Sequence, residues 1–242
     1  MDRPLRKFGL IGKRLGHSLS QELFEAQGFS DAGYGLYEMA SLDGLRRWVE
    51  AEGISGFNVT IPYKQTILPL LDAVDDMAAE IGAVNCVSVV HGLLVGHNTD
   101  APAFMATLAG EPSLGKALIL GTGGAARAVA YALGQMGVEH VFASRKPQTA
   151  DVEPVIGYED ITAEYDTIVN ATPVGMYPDS GNTPLPLATL VDKTSPLLVY
   201  DLVYNPSQTL LMREAETLGA RAKNGLEMLR RQAELSWAIW GL

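Results

Sequence analysis

The chain has 242 residues, 47% hydrophobic and 19% charged, with a net charge of −10 from 18 basic and 28 acidic side chains. This is ordinary globular material, long enough for one large domain or two modest ones, and its acidity argues against a nucleic-acid surface while leaving room for a local basic pocket. One cysteine (Cys86) excludes an internal disulfide framework, four scattered histidines give no metal-ligand spacing, and no apolar run reaches membrane-spanning length. The first residues also lack the apolar stretch of a secretion signal. The expectation is a soluble cytoplasmic protein without a metal, a membrane or a nucleic-acid partner.

Short apolar strands alternate with helical stretches throughout, which predicts an α/β fold. Strands are expected over 7–11, 35–39 and 56–61, with helices over 19–27 and 42–52, the second stopped by Gly53. Pro62 suits the first turn of a helix reaching about residue 71. Strands over 83–90 and 93–96 flank His91-Gly92, a hairpin signal. A helix over 101–108 follows, with a domain boundary near residue 101. Further strands are expected over 117–120, 138–144, 167–170 and 197–202, and helices over 128–133 and 209–218. A last helix over 226–240 places Leu226, Leu229, Ala233, Trp237 and Trp240 on one face. Between Arg145 and the strand at 167 there is little room and two prolines, so an abbreviated crossover is expected.

The run Ala117–Arg127 is the strongest motif. Four apolar residues precede Gly121, Gly123 and Ala126, which fall at the G-x-G-x-x-G/A spacing, with Gly124 and Ala125 between them. In a strand–turn–helix context this is a dinucleotide fingerprint: Gly121 for the sharp turn, Gly123 for close approach of backbone to a pyrophosphate, Ala126 for tight helix packing. The plain alternative is a glycine-rich turn with no ligand. At the end of the next strand, an NAD site usually carries Asp or Glu, whereas this chain has Ser144-Arg145-Lys146. Two cations and a hydroxyl welcome a 2′-phosphate, so NADP is favoured over NAD.

Three earlier segments carry polar groups at the ends of predicted elements. In Gly16–Ser20, Ser18 and Ser20 can donate hydroxyls to a carboxylate, or Ser18-Leu-Ser-Gln21 can be a capping box. In Phe57–Lys64, Lys64 sits in the first turn of a helix, where a cation opposes the dipole; that local cost hints at a use, against the reading of a surface lysine. In Gly96–Asp100, Thr99 or Asp100 can be a helix cap, but Asp100 also lies at the expected domain boundary. Thr60, Lys64, Asn85 and Asp100 all fall near the carboxyl ends of strands, where open α/β sheets bind ligands.

Taken together, Gly16–Ser20, Asn58–Lys64, Gly82–Asn85, Gly96–Asp100, Gly121–Ala126, Asn170–Met176, Tyr200–Pro206 and Gly225–Gln232 resemble the shikimate dehydrogenase family nearly end to end. The resemblance implies two lobes. One is an α/β substrate-binding domain (1–101 plus 224–242) closed by the C-terminal helix. The other is a Rossmann-like dinucleotide-binding domain (102–223). It also implies NADP-linked interconversion of 3-dehydroshikimate and shikimate, in aromatic amino-acid biosynthesis. Lys64 and Asp100 match the catalytic pair. Ser18, Ser20 and Tyr204 match carboxylate binders, and Thr60, Asn85 and Gln232 match positions that hold substrate hydroxyls. Thr172, Gly225 and the backbone of Leu202 match positions on the cofactor. The expected assembly is a monomer or a homodimer.

The chain also departs from the pattern. The family's usual Asn-Arg-Thr turn reads Ser144-Arg145-Lys146 here, and Thr149 stands where a further cation is expected. That leaves Lys146 as its substitute and implies a weaker grip on the 2′-phosphate. A quinate/shikimate enzyme using NAD is the nearest alternative. A non-catalytic metabolite sensor is the alternative of another kind, and such a chain should have lost Lys64 or Asp100.

Overall fold

The computed structural model describes residues 5–16, 18–152, 154–189 and 198–242. The chain divides into two units, Met1–Ala103 with Leu229–Leu242, and Phe104–Met228.

In the first unit the strands are β1 (Arg6–Gly12), β2 (Ala32–Glu38), β3 (Ile54–Val59), β4 (Ala73–Val74), β5 (Cys86–Val90) and β6 (Leu93–His97). Their order is β2-β1-β3-β5-β6-β4, with β5 antiparallel to both β3 and β6 and the other pairs parallel. The period of two in β1 explains how the sheet buries both faces. Phe8 and Leu10 pack with Phe24, Trp237 and Trp240, whereas Ile11 packs with Phe57, Val59 and Ile67 on the other side. Helices α1 (Ser20–Glu25), α2 (Leu45–Glu52), α3 (Tyr63–Thr66) and α4 (Asp76–Ile81) lie between the strands. Gly53 ends α2 in the left-handed region, as its position predicts. The hairpin turn has both His91 (φ 52°) and Gly92 (φ 80°) left-handed, which matches the right-handed twist of β5 and β6.

The expected helix over 62–71 is instead the four-residue α3 and a 3-10 turn at Leu68–Leu70. Pro69 explains the break, because it has no N–H to donate within a continuing helix. The short β4 and α4, the latter capped by the Asp75 carboxylate accepting from the Ala78 N–H at 2.7 Å, go beyond the sequence reading.

The second unit begins in α5 (Asp100–Thr107), which spans the division, and contains β7 (Ala117–Leu120), α6 (Gly124–Gln135), β8 (His140–Ser144), β9 (Val155–Gly157), β10 (Thr167–Asn170), β11 (Leu198–Asp201), α7 (Leu210–Thr217) and β12 (Arg221–Asn224). All six strands are parallel, in the order β12-β11-β10-β7-β8-β9. Counted from β7, this is the doubly wound dinucleotide-binding order. Every residue of β7, β10 and β11 is buried, as expected of strands covered on both faces. Among its described residues the crossover from 145 to 166 carries only β9 and 3-10 turns at Pro147–Thr149 and Tyr158–Asp160, so it is abbreviated. Leu197 and part of the stretch before β11 lie outside the described residues. No described helix is long and apolar enough to cross a membrane.

The last helix, α8 (Leu226–Ile239), contributes residues 229 onward to the first unit. Trp240 follows it, stacks on Phe8 at 4.7 Å and donates its indole N–H to the Val87 carbonyl at 3.0 Å. Gly56 makes this approach possible, since a Cβ there would fall 2.5 Å from the Trp240 Nε1. Gly56→Ala should therefore lower stability by about 1–3 kcal/mol through overpacking, measurable by urea denaturation.

Candidate active site

The turn that follows β3 presents Lys64 on α3, and the turn that follows β6 presents Asp100 at the start of α5. Their side chains meet: the Lys64 ammonium donates to Asp100 Oδ2 at 2.6 Å. The pair is enclosed, with Lys64 15% and Asp100 6% exposed at the side chain. Asp100 Oδ1 accepts from the Asn85 amide at 3.0 Å, so each carboxylate oxygen has its own donor. Asn85 also reaches Thr99 Oγ1 at 2.8 Å and Gln232 Oε1 at 3.3 Å, and its own oxygen accepts the Thr99 N–H at 2.6 Å. Four residues singled out in sequence are thus joined: Lys64, Asn85, Asp100 and Gln232.

Beneath them lies a layer that the sequence reading missed. Asn58, 6% exposed, donates to Ser236 Oγ at 2.8 Å and to the Asn85 carbonyl at 3.2 Å, and accepts from the Tyr34 hydroxyl at 2.9 Å. Ser236, fully buried, donates to the Gln232 carbonyl at 2.8 Å and meets Thr99 Oγ1 at 3.3 Å. The available signals were a lone amide between Phe57 and Val59 in a buried strand, and a serine beside Ala233 and Trp237 on the apolar face of the last helix.

Two capping expectations fail. The Ser18–Gln21 capping box does not form, and Leu19, which precedes α1, has no side chain that can cap it. The Ser18 hydroxyl bonds Ser20, the first residue of α1, donating to its Oγ at 3.1 Å and accepting its N–H at 3.3 Å. Two hydroxyls are therefore held side by side; His17 lies outside the described residues. Nor is Thr99 or Asp100 the side-chain cap of α5: Asn98 accepts the Ala101 N–H at 3.1 Å, which leaves the Asp100 carboxylate for Lys64 and Asn85. Thr60 follows β3 and is half-buried, its carbonyl accepting the Tyr63 N–H. Tyr204 belongs to the second unit, just after β11.

In the second unit, the fingerprint folds as a cradle. Gly121 is left-handed (φ 102°), with the Thr172 methyl 3.0 Å from where its Cβ would sit. Gly123 has open space where a Cβ would be, and no side chain caps the first turn of α6. Thr172 is fixed by Asn170, whose Oδ1 accepts both the Thr172 N–H (3.0 Å) and hydroxyl (2.7 Å). Asn170 in turn donates to Asp201 at 2.9 Å. Burial is the largest influence on the Asp201 carboxyl and pushes it above the usual carboxylate range, against hydrogen bonds from Thr209, the Val203 N–H and Asn170. Gly225 is also placed by close approach, since a Cβ there would lie 2.0 Å from the Leu202 carbonyl oxygen. Gly121 and Thr172 follow β7 and β10, the neighbouring strands at which the order reverses, the place where such sheets bind ligands. Ser144 ends β8, and Arg145 and Lys146 follow it, both exposed. The open space at Gly123 and the uncapped helix start fit a dinucleotide pyrophosphate. No group of acidic, His or Cys side chains among the described residues could hold a metal ion.

Comparison with known proteins gives the same reading. Residues 10–87 match the family described as shikimate dehydrogenase substrate binding domain. A shikimate dehydrogenase (NADP(+)) of Shouchella clausii is 38% identical, across 97% of this chain and 92% of its own length. The chain belongs to the shikimate dehydrogenase family. A family structure from Thermus thermophilus, in complex with NADP(H) and shikimate, superposes with a TM-score of 0.86 at 36% identity, covering 98% of this chain and 94% of that one. A quinate dehydrogenase of Corynebacterium glutamicum in complex with NAD superposes at 0.83 with 30% identity, covering 99% and 95%.

Cys86 follows Asn85 at the centre of the first unit and is fully buried. Burial, chiefly, pushes its thiol up to about 12. Disulfide reagents at pH 8 should accordingly label the native protein at least about a hundredfold more slowly than the urea-unfolded chain, with the released chromophore as the readout.

Proposed function

We propose that this chain catalyses the reversible NADP-linked reduction of 3-dehydroshikimate to shikimate, in the cytoplasm, as a step towards aromatic amino acids. The observation that carries the reading is the enclosed Lys64–Asp100 pair at 2.6 Å, steadied by Asn85, in a member of this family. NADP, when bound, supplies or takes up the hydride. In the reducing direction a carbonyl oxygen gains negative charge and needs a proton. The Lys64 ammonium provides that proton and stabilises the charge as it develops. Asp100 holds the ammonium in place, and Asn85, by occupying the other carboxylate oxygen, fixes which lone pairs Asp100 presents. Ser18 and Ser20, held as a pair of hydroxyls, take the substrate carboxylate together with Tyr204. Thr60, Asn85 and Gln232 bind the ring hydroxyls. Gly121, Gly123, Gly124, Ala125 and Ala126 receive the pyrophosphate, Ser144, Arg145 and Lys146 the 2′-phosphate, and Thr172, Leu202 and Gly225 the nicotinamide half.

The test follows absorbance of reduced nicotinamide with purified protein, shikimate or quinate, and NADP or NAD in turn. Turnover should require shikimate and be faster with NADP. Lys64→Ala should lower kcat by about 10²–10⁴ in a protein whose circular dichroism is unchanged. Faster turnover with quinate, or with NAD, would replace the substrate or the cofactor half of the proposal; turnover with neither acid would defeat it.

A further inference from the structure

The turn after β8 offers Ser144, Arg145 and Lys146, yet the described residues of its crossover form no α-helix to brace it. Its internal bonds are local: Ser144 Oγ accepts the Lys146 N–H at 3.0 Å, the Lys146 carbonyl accepts the Thr149 N–H and hydroxyl, each at 3.2 Å, and the Pro147 carbonyl accepts the Ala150 N–H at 3.2 Å. Its outward tie comes from α6. Arg127, one turn into that helix, donates to the Asp151 carbonyl at 3.1 Å and pairs with the Asp151 carboxylate. Among the described residues this is the one side-chain hydrogen bond or ion pair that joins 145–151 to another element.

Two features set Arg127 apart from a surface ion pair. Its side chain is only 16% exposed, although Asp151 is 76% exposed. Its Nε is buried with no hydrogen-bond partner, the one such side-chain atom among the described residues. Burying a guanidinium N–H without an acceptor is unfavourable, and nothing gained at an exposed carboxylate offsets it well. The arrangement makes sense as a means of fixing the segment it grips.

We propose that Arg127 is a positioning residue for NADP discrimination: by holding Asp151 against α6, it fixes the turn whose Ser144, Arg145 and Lys146 receive the 2′-phosphate. This rests on the reading of that turn given above. It also accounts for how the chain manages with Thr149 where a further cation is expected, because a fixed pair of cations loses less order on binding than a mobile one. NAD has no 2′-phosphate, so its affinity does not depend on the turn.

The experiment measures Kd for NADP and for NAD separately by calorimetric titration of the full chain, in wild type, Arg127→Met, Arg127→Lys and Asp151→Ala. Arg127→Met should weaken NADP about tenfold and leave NAD within about twofold. Asp151→Ala should act in the same direction but less, since its carbonyl remains. The pair combined should lose no more than Arg127→Met alone. Equal weakening of both cofactors, or an unchanged NADP-to-NAD ratio in variants with a lowered Tm, would overturn the proposal. Should Arg127→Met fail to fold, an unchanged ratio in both Arg127→Lys and Asp151→Ala would overturn it equally. Wild-type protein that binds both cofactors alike would sink the reading of the turn itself, and this proposal with it. A preserved wild-type preference with unchanged variants would sink this proposal alone.

Discussion

An ammonium and a carboxylate withdrawn from water need each other, and the first unit is arranged around that need. Lys64 and Asp100 are 36 residues apart and come from different turns, so their 2.6 Å contact requires both turns to be fixed to a fraction of an ångström. Desolvating two charges costs several kcal/mol per ion unless the remaining lone pairs and protons are also satisfied. Asn85 meets that condition on the Asp100 side, and Thr99 and Gln232 meet it for Asn85.

The second layer, Tyr34–Asn58–Ser236, ties β2, β3 and α8 into the same network. Such a network is worth having only when it is complete, since a half-satisfied polar cluster is worse than an apolar one. Here its members are bonded through both side chains and strand backbone: Asn85 donates its N–H to the His97 carbonyl and accepts the Val59 N–H. The second unit repeats the device with Asp201, Asn170 and Thr172, again a buried polar chain that ends beside a glycine turn. In both units, polar residues inside the core set the position of the loops that carry the chemistry.

Much of this was legible in sequence where one physical signal dominated. The strand at 117–120 reads cleanly because a parallel strand covered on both faces is a continuous apolar run. Gly53 and His91-Gly92 read cleanly because left-handed backbone favours few residues. Short or polar elements did not: β4 has two residues, and β12, Arg221–Asn224, has three polar side chains on an edge. Side-chain bonds were less legible still. The spacing of Ser18 and Gln21 suggests a capping box, but Ser18 bonds Ser20, and Asn98 takes the capping role that suits Thr99 or Asp100 by position. Asn58 and Ser236 are 178 residues apart, and no local pattern marks such a pair.

That separation has a bearing on how the molecule is made. The first unit is discontinuous: it takes residues up to 103, and then residues from 229 onward. Gln232, Ser236, Trp237 and Trp240 fill its core and its polar network, yet they leave the ribosome after the whole of the second unit. Chains emerge at about 5–20 residues per second, so the first strands wait several seconds, with Phe8, Leu10 and Gly56 uncovered, for the helix that covers them. The second unit, continuous in sequence, has no such wait. The order of synthesis is thus the reverse of the order of completion, and the exposed interval belongs to the sheet that carries Lys64.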